Sequence, residues 1–229
     1  IGKSSTGVAA AAYCLYRMMC LRNPQRFFKK KDISVFTMLF FNITLDLAKG
    51  VGFKEFNDLL KSSPWFQDHG TFSNSKIPVY QPYGDKIVIE AGSEYNHALG
   101  QQVFCAFIDE INFAKSGVKD ISKAKARIKE LYDVVVARIE GTFRLDGIVW
   151  GKLFAISSKK SDQDFLEDRI HNQLAAGNQH LVVFDAPQWE ILPEGTFSAE
   201  RFWLAVGDKH HKGFVVDNDS DEALQELKD

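Results

Sequence analysis

Unbroken apolar runs alternate along the chain with longer stretches of helical spacing. Ile33 to Phe41, Val103 to Ile108, Leu153 to Ile156 and Leu181 to Phe184 are continuously or almost continuously apolar, the pattern of parallel strands buried on both faces. Ser5 to Leu21 is rich in alanine and methionine, with apolar residues on most faces, and predicts a buried helix. Leu45 to Leu60 has helical spacing and ends before Ser62-Ser63-Pro64, where proline cannot continue it. Short extended pieces are expected around Lys76–Tyr80 and Lys86–Ala91, the second alternating apolar and polar. Ile121 to Glu140 reads as a charged amphipathic helix, and Asp162 to Ala175 is also expected to be helical.

Buried strands alternating with helices predict an α/β fold, a central and mainly parallel sheet flanked by helices. Residues 1–185 are assigned to this core. Beyond Asp185, Pro187, Pro193, Gly195 and Gly207 mark a smaller subdomain over 186–229, and Asp217 to Asp229 form an acidic tail, the start of a linker or a fraying helix. The 229 residues suffice for one such domain with an appendage.

Composition changes this picture only at the margins. Lys and Arg number 28 against 30 Asp and Glu, a net charge of −2, which argues against a uniformly basic nucleic-acid-binding surface and leaves room for a local patch. Cys14, Cys20 and Cys105 have no metal-ligand spacing and read as reduced thiols of a soluble, cytoplasmic protein. No apolar run reaches membrane-spanning length, so no membrane partner is expected.

Candidate chemistry begins at Gly2-Lys3-Ser4, directly before a helix. These are the last three positions of the phosphate-binding loop G-x-x-x-x-G-K-[ST]. Glycine lets backbone N–H groups close on phosphate oxygens, lysine reaches the terminal phosphates, and the hydroxyl holds Mg²⁺. The chain is therefore expected to begin inside its own phosphate loop. Alone, the tripeptide fits an ordinary serine-containing helix start equally well. The second motif is the apolar strand Val103–Ile108 ending on Asp109-Glu110. In P-loop enzymes the first carboxylate of such a strand supports Mg²⁺ and the second polarises the attacking water. The third is Leu153–Ile156 running into Ser157-Ser158, small hydroxyls suited to sensing a γ-phosphate, though a serine pair there also fits simple turn chemistry. The three in this order point to a P-loop NTPase of the class carrying a catalytic glutamate (ASCE-type).

Through most of its length the chain also resembles the large terminase subunits of tailed bacteriophages. The resemblance rests on Ile1-Gly2-Lys3-Ser4-Ser5, Ser63-Pro64-Trp65-Phe66, Phe107-Ile108-Asp109-Glu110-Ile111-Asn112-Phe113, Ala137-Arg138-Ile139, Ala155–Lys160, Asp164-Phe165-Leu166-Glu167 and Phe202–Asp208. It implies the ATPase domain of a motor that drives double-stranded DNA into a viral procapsid, with ATP and Mg²⁺ as cofactors. The partners implied are DNA, the portal protein and the small terminase subunit, with homo-oligomeric ring assembly in the host cytoplasm. By position, Gly2, Lys3, Ser4 and Ser5 would bind nucleotide and Ser4 and Asp109 would serve the metal. Glu110 would be the catalytic carboxylate, and Ser157 and Ser158 the coupling motif. The chain departs from the family at Ala98-Leu99-Gly100-Gln101, where many relatives carry an arginine. Arg138 and Arg144 are the candidates for stabilising the transferred phosphoryl group, and each fits a surface salt bridge as well. The family's nuclease domain is not represented in these residues.

Two rival functions remain at this stage, a helicase-like cellular ATPase and a non-hydrolysing nucleotide-binding scaffold. The Ser63–Phe66 string and Asn112-Phe113 argue against the first, and Glu110 against the second. His210-His211 reads as a surface pair. The basic stretch from Arg26 to Lys31 reads as a solvated connection, with DNA contact as the lesser alternative, and Trp65 and Trp203 read as packing aromatics.

Overall fold

The computed structural model describes residues 2–42, 48, 52–75, 78–84, 86–92, 98–113, 121–158, 164–178, 180–186, 188–193, 195–196, 203–205 and 213–216. The chain divides into two compact units, residues 1–183 and 184–229. In the first, helix α1 (Lys3–Met19) is followed by a short α2 (Pro24–Phe27) and strand β1 (Phe36–Phe41). Next come α3 (Gly52–Ser62), α4 (Pro64–His69), β2 (Gly70–Phe72), β3 (Tyr80–Pro82), β4 (Ile87–Gly92) and β5 (Gln102–Asp109). A 3₁₀ turn (Ile111–Phe113), helix α5 (Ile121–Phe143), β6 (Arg144–Leu145), β7 (Ile148–Val149), β8 (Lys152–Ile156) and α6 (Phe165–Ala175) complete it. In the second unit, α7 (Gln188–Ile191) precedes an antiparallel pair, β9 (Trp203–Ala205) and β10 (Phe214–Val216).

Strands β4, β1, β5 and β8 form one sheet in that order, and every pairing is parallel. All six residues of β1 are buried, because helices cover both faces. On one face, α1 contributes Val8, Ala11, Ala12, Leu15 and Met18, and α3 contributes Phe53, Phe56 and Leu60. On the other, α5 contributes Ile128, Val135 and Ile139. The register between β1 and β5 shifts between Thr37 and Met38, so that Val103 and Cys105 face consecutive residues of β1 and Phe104 is the extra residue of a bulge. Beyond the bulge, strand alternation places Cys105, Phe107 and Asp109 on the α1 face.

Several elements differ from their sequence expectations. Helix α1 is amphipathic rather than wholly buried: Tyr13 and Tyr16 are exposed while one stripe faces the sheet. The strand expected from Ile33 starts at Phe36, because Ile33 is 84% exposed and Val35 also faces solvent. The basic connection holds the short α2, capped by the Asn23 side chain accepting from the Arg26 N–H. The piece expected at Lys76–Tyr80 is β3, at Tyr80–Pro82, paired with β2, and the alternating piece is edge strand β4 of the main sheet. Leu181 to Phe184 is not a strand: Val182 is 91% and Phe184 81% exposed, with no pairing among the described residues. An apolar run reports a preference for burial, and it does not by itself supply a strand edge to pair with. Much of Leu45–Val51, His210-His211, Lys159-Lys160 and the tail from Asp217 lie outside the described residues. No helix among the described residues is long and apolar enough to cross a membrane.

Candidate nucleotide site

Helix α1 opens on Gly2, whose φ of 79° is left-handed. A Cβ there would meet nothing within 4 Å, so the conformation and not the space calls for glycine. The Gly2 carbonyl accepts from the Thr6 N–H at 2.9 Å, which leaves the first N–H groups of α1 without intrahelical partners, as at every helix start. Those donors and the helix dipole favour an anion at this end. The helix lies close to the sheet because Gly7 faces it: a Cβ there would overlap Ile156 Cδ1 and come within 2.8 Å of Phe107 Cε2.

This close approach brings three distant segments together. Lys3 Nζ donates to Glu110 Oε1 at 3.3 Å and to Ser158 Oγ at 2.6 Å. Glu110 stands just past β5 with φ of 53°, a left-handed conformation uncommon for a side-chain-bearing residue and concentrated at functional positions. Its Oε2 is buried and has no hydrogen-bond partner among the described residues. Asp109, 5% exposed, accepts the Glu110 N–H on Oδ1 at 3.0 Å and the Asn42 Nδ2 on Oδ2 at 3.4 Å. Burial raises the Asp109 pKa from the usual carboxylate value, and the neighbouring Glu110 charge adds to this, against the lowering effects of the Glu110 N–H and of Lys3.

Behind these groups, the Asn112 N–H donates to Ser157 Oγ at 3.1 Å, and Asn112 Nδ2 donates to the Ser158 carbonyl at 3.3 Å. Ser4 lies beside Lys3 in the first turn of α1. Ser5 turns elsewhere, its hydroxyl donating to the Glu55 carboxylate of α3. The Ser4 hydroxyl and the Asp109 carboxylate are hard-oxygen donors of the kind Mg²⁺ takes.

Lys3, Asp109, Glu110, Ser157 and Ser158 are thus gathered at the C-terminal edge of the sheet, but Arg138 is not. Its neighbour Ile139 packs against Gly151, the residue before β8, whereas Ser157 follows the end of that strand. A five-residue strand is about 17 Å long, so within this chain Arg138 sits toward the wrong end of the sheet for the phosphoryl group. Arg144 pairs with Glu140 at 3.2 Å one helical turn away. Arg26 is likewise engaged, gripping both oxygens of Asp32 at 3.2 and 3.1 Å and holding that carboxyl below its usual pKa. Trp65 packs edge-on against Tyr16 and Phe66 and stacks on His69. Sequence reasoning missed Asn42, just past the end of β1 and bonded to Asp109, and the bonding role of Asn112. Strand alternation could have flagged the first; the second depends on contacts across 45 or more residues.

A glycine-led helix, a lysine meeting a strand-end carboxylate and a parallel sheet define a P-loop domain. The chain belongs to the family described as "Uncharacterized protein MJ0330, N-terminal P-loop domain", which matches residues 1–204. No curated protein sequence matches it. Among solved structures it is similar to the crystal structure of the HK97 bacteriophage large terminase, at 16% identity and a TM-score of 0.44, covering 68% of this chain. The chain spans 30% of the length of that terminase chain.

Proposed function

We propose that the chain is the ATPase domain of a motor that couples ATP hydrolysis to translocation of double-stranded DNA into a viral procapsid. The observation that carries the hydrolytic part is the convergence of Lys3, Glu110 and Ser158 at the sheet's C-terminal edge. Lys3 and Glu110 are each about a third exposed, and an ion pair of this kind contributes roughly 0–1 kcal/mol. The β- and γ-phosphates of ATP can therefore take Lys3 at little cost. Its departure frees Glu110 Oε1 to accept a proton from, or orient, the attacking water, and frees the Ser158 hydroxyl to meet the γ-phosphate. Ser4 and Asp109 would hold Mg²⁺, which neutralises phosphate charge when bound.

The packaging role rests on the Ser63–Phe66 and Asp109–Phe113 strings and on the resemblance they carry, with portal, small subunit and a homo-oligomeric ring as the expected assembly. It is tested by ATPase assay of a chain in which all eight positions of the phosphate loop are present, with double-stranded DNA and with or without purified portal. Stimulation by portal supports a packaging motor. DNA stimulation indifferent to portal would favour a helicase-like motor, and nucleotide binding without turnover would favour a scaffold.

A further inference from the structure

Asn112 is 4% exposed and joins three parts of the chain at once. Its backbone N–H and side-chain Nδ2 hold Ser157 Oγ and the Ser158 carbonyl, as described above. On its other side, Oδ1 accepts the Leu166 N–H at 3.1 Å. Leu166 is the second residue of α6, and the Asp164 side chain at the N-cap position of that helix makes no capping hydrogen bond. Asn112 therefore supplies, from 54 residues away, the acceptor that a local N-cap side chain ordinarily provides. Helix α6 is held independently to α5, where Arg169 pairs with Asp133 and lies over the Tyr132 ring, and Phe165 meets Tyr132 edge to face.

We infer that Asn112 is the positioning residue through which the state of the phosphate site reaches helix α6. The inference rests on the nucleotide-binding reading proposed above. Lys3 donates to Ser158 Oγ, a bond that a bound phosphate would compete for. When phosphate claims Lys3 and Ser158 turns toward the nucleotide, the Ser158 carbonyl moves with it. Nδ2 passes that displacement to the Asn112 amide plane, and Oδ1 passes it to the first turn of α6. The two ends of one planar amide act oppositely, one donating to the coupling segment and the other accepting from the helix. An aspartate in place of Asn112 would keep the acceptor and lose the donor, whereas an alanine would lose both. The substitutions Asn112→Asp and Asn112→Ala therefore separate capping from coupling.

The test is hydrogen exchange over residues 165–170, with and without Mg²⁺ and a non-hydrolysable ATP analogue, in a chain with all eight phosphate-loop positions. Analogue affinity and ATPase kinetics are measured alongside. In the wild type, exchange over these residues is expected to change on analogue binding. Asn112→Asp should keep the analogue-free protection of α6 but lose the response, and Asn112→Ala should lose both. Analogue affinity should stay within about threefold in each variant, while kcat falls about tenfold with little change in KM, a size usual for coupling residues away from the reacting atoms. An Asn112→Asp protein that responds like the wild type would overturn the inference, leaving Asn112 a cap only. So would a wild type that binds the analogue with no change in α6. A wild type that fails to bind the analogue would overturn the nucleotide reading itself, and this inference with it.

Discussion

At the end of the sheet where β1 and β5 begin, Phe28, Phe36, Phe104 and Phe143 meet edge to face, with ring centroids between 4.8 and 6.2 Å apart. Where β5 and β8 finish, the contacts are hydrogen bonds among Lys3, Asp109, Glu110, Asn112, Ser157 and Ser158, with a left-handed backbone at Glu110. Apolar burial without directional demands holds the first end and fixes the spacing of the strands. At the second end the partly exposed Lys3–Glu110 pair contributes only roughly 0–1 kcal/mol. Its bonds can therefore be exchanged for bonds to a ligand. One end of the same strands is built to stay fixed, and the other to change partners.

The sharpest way to break this division is Phe143→Ala. The ring is fully buried, and truncation should cost about 3–5 kcal/mol in urea unfolding while leaving the nucleotide affinity of the folded protein unchanged. Gly7→Ala tests the link between the two ends, since the added methyl collides with Phe107 and Ile156. It should destabilise by about 1–3 kcal/mol and, by pushing α1 off the sheet, weaken nucleotide binding measured by calorimetry.

A smaller effect of opposite sign is expected from Asp109→Asn in metal-free buffer. Burial raises the Asp109 pKa in the folded state. Its neutral form therefore favours folding below the unfolded value of about 3.9, and that contribution is lost as pH rises through the folded value. The variant should accordingly exceed the wild type in stability at neutral pH. The gap should close as pH falls toward about 4 in parallel urea titrations. Lys3→Ala should be the mildest, shifting stability by roughly 0–1 kcal/mol while weakening nucleotide binding. A large loss of stability there would contradict the division itself.

Much of the fixed end was legible in the sequence, since wholly apolar runs such as Phe36–Phe41 and Val103–Ile108 have few alternatives to a buried parallel strand. The overshoot at Ile33 and the run Leu181–Phe184, which has no strand pairing among the described residues, mark the limit of that signal, because hydrophobicity does not say where a neighbouring edge lies. The bulge at Phe104, which helps to set the face that Asp109 occupies, left no trace in the pattern. At the changeable end, Lys3, Asp109 and Glu110 were legible as motif positions. Arg138 was misplaced because position along a helix does not reveal which end of the sheet that helix has reached. Asn112 was quoted only as part of a string, since its three partners lie between 45 and 54 residues away.

The most direct test of the account compares the wild type with Glu110→Ala, measuring Mg·ATP binding and turnover on the same preparations with all eight phosphate-loop positions present. The account predicts binding within a few-fold of wild type and turnover lower by at least about a hundredfold, the usual contribution of a positioned general base. Undiminished hydrolysis by Glu110→Ala would contradict it.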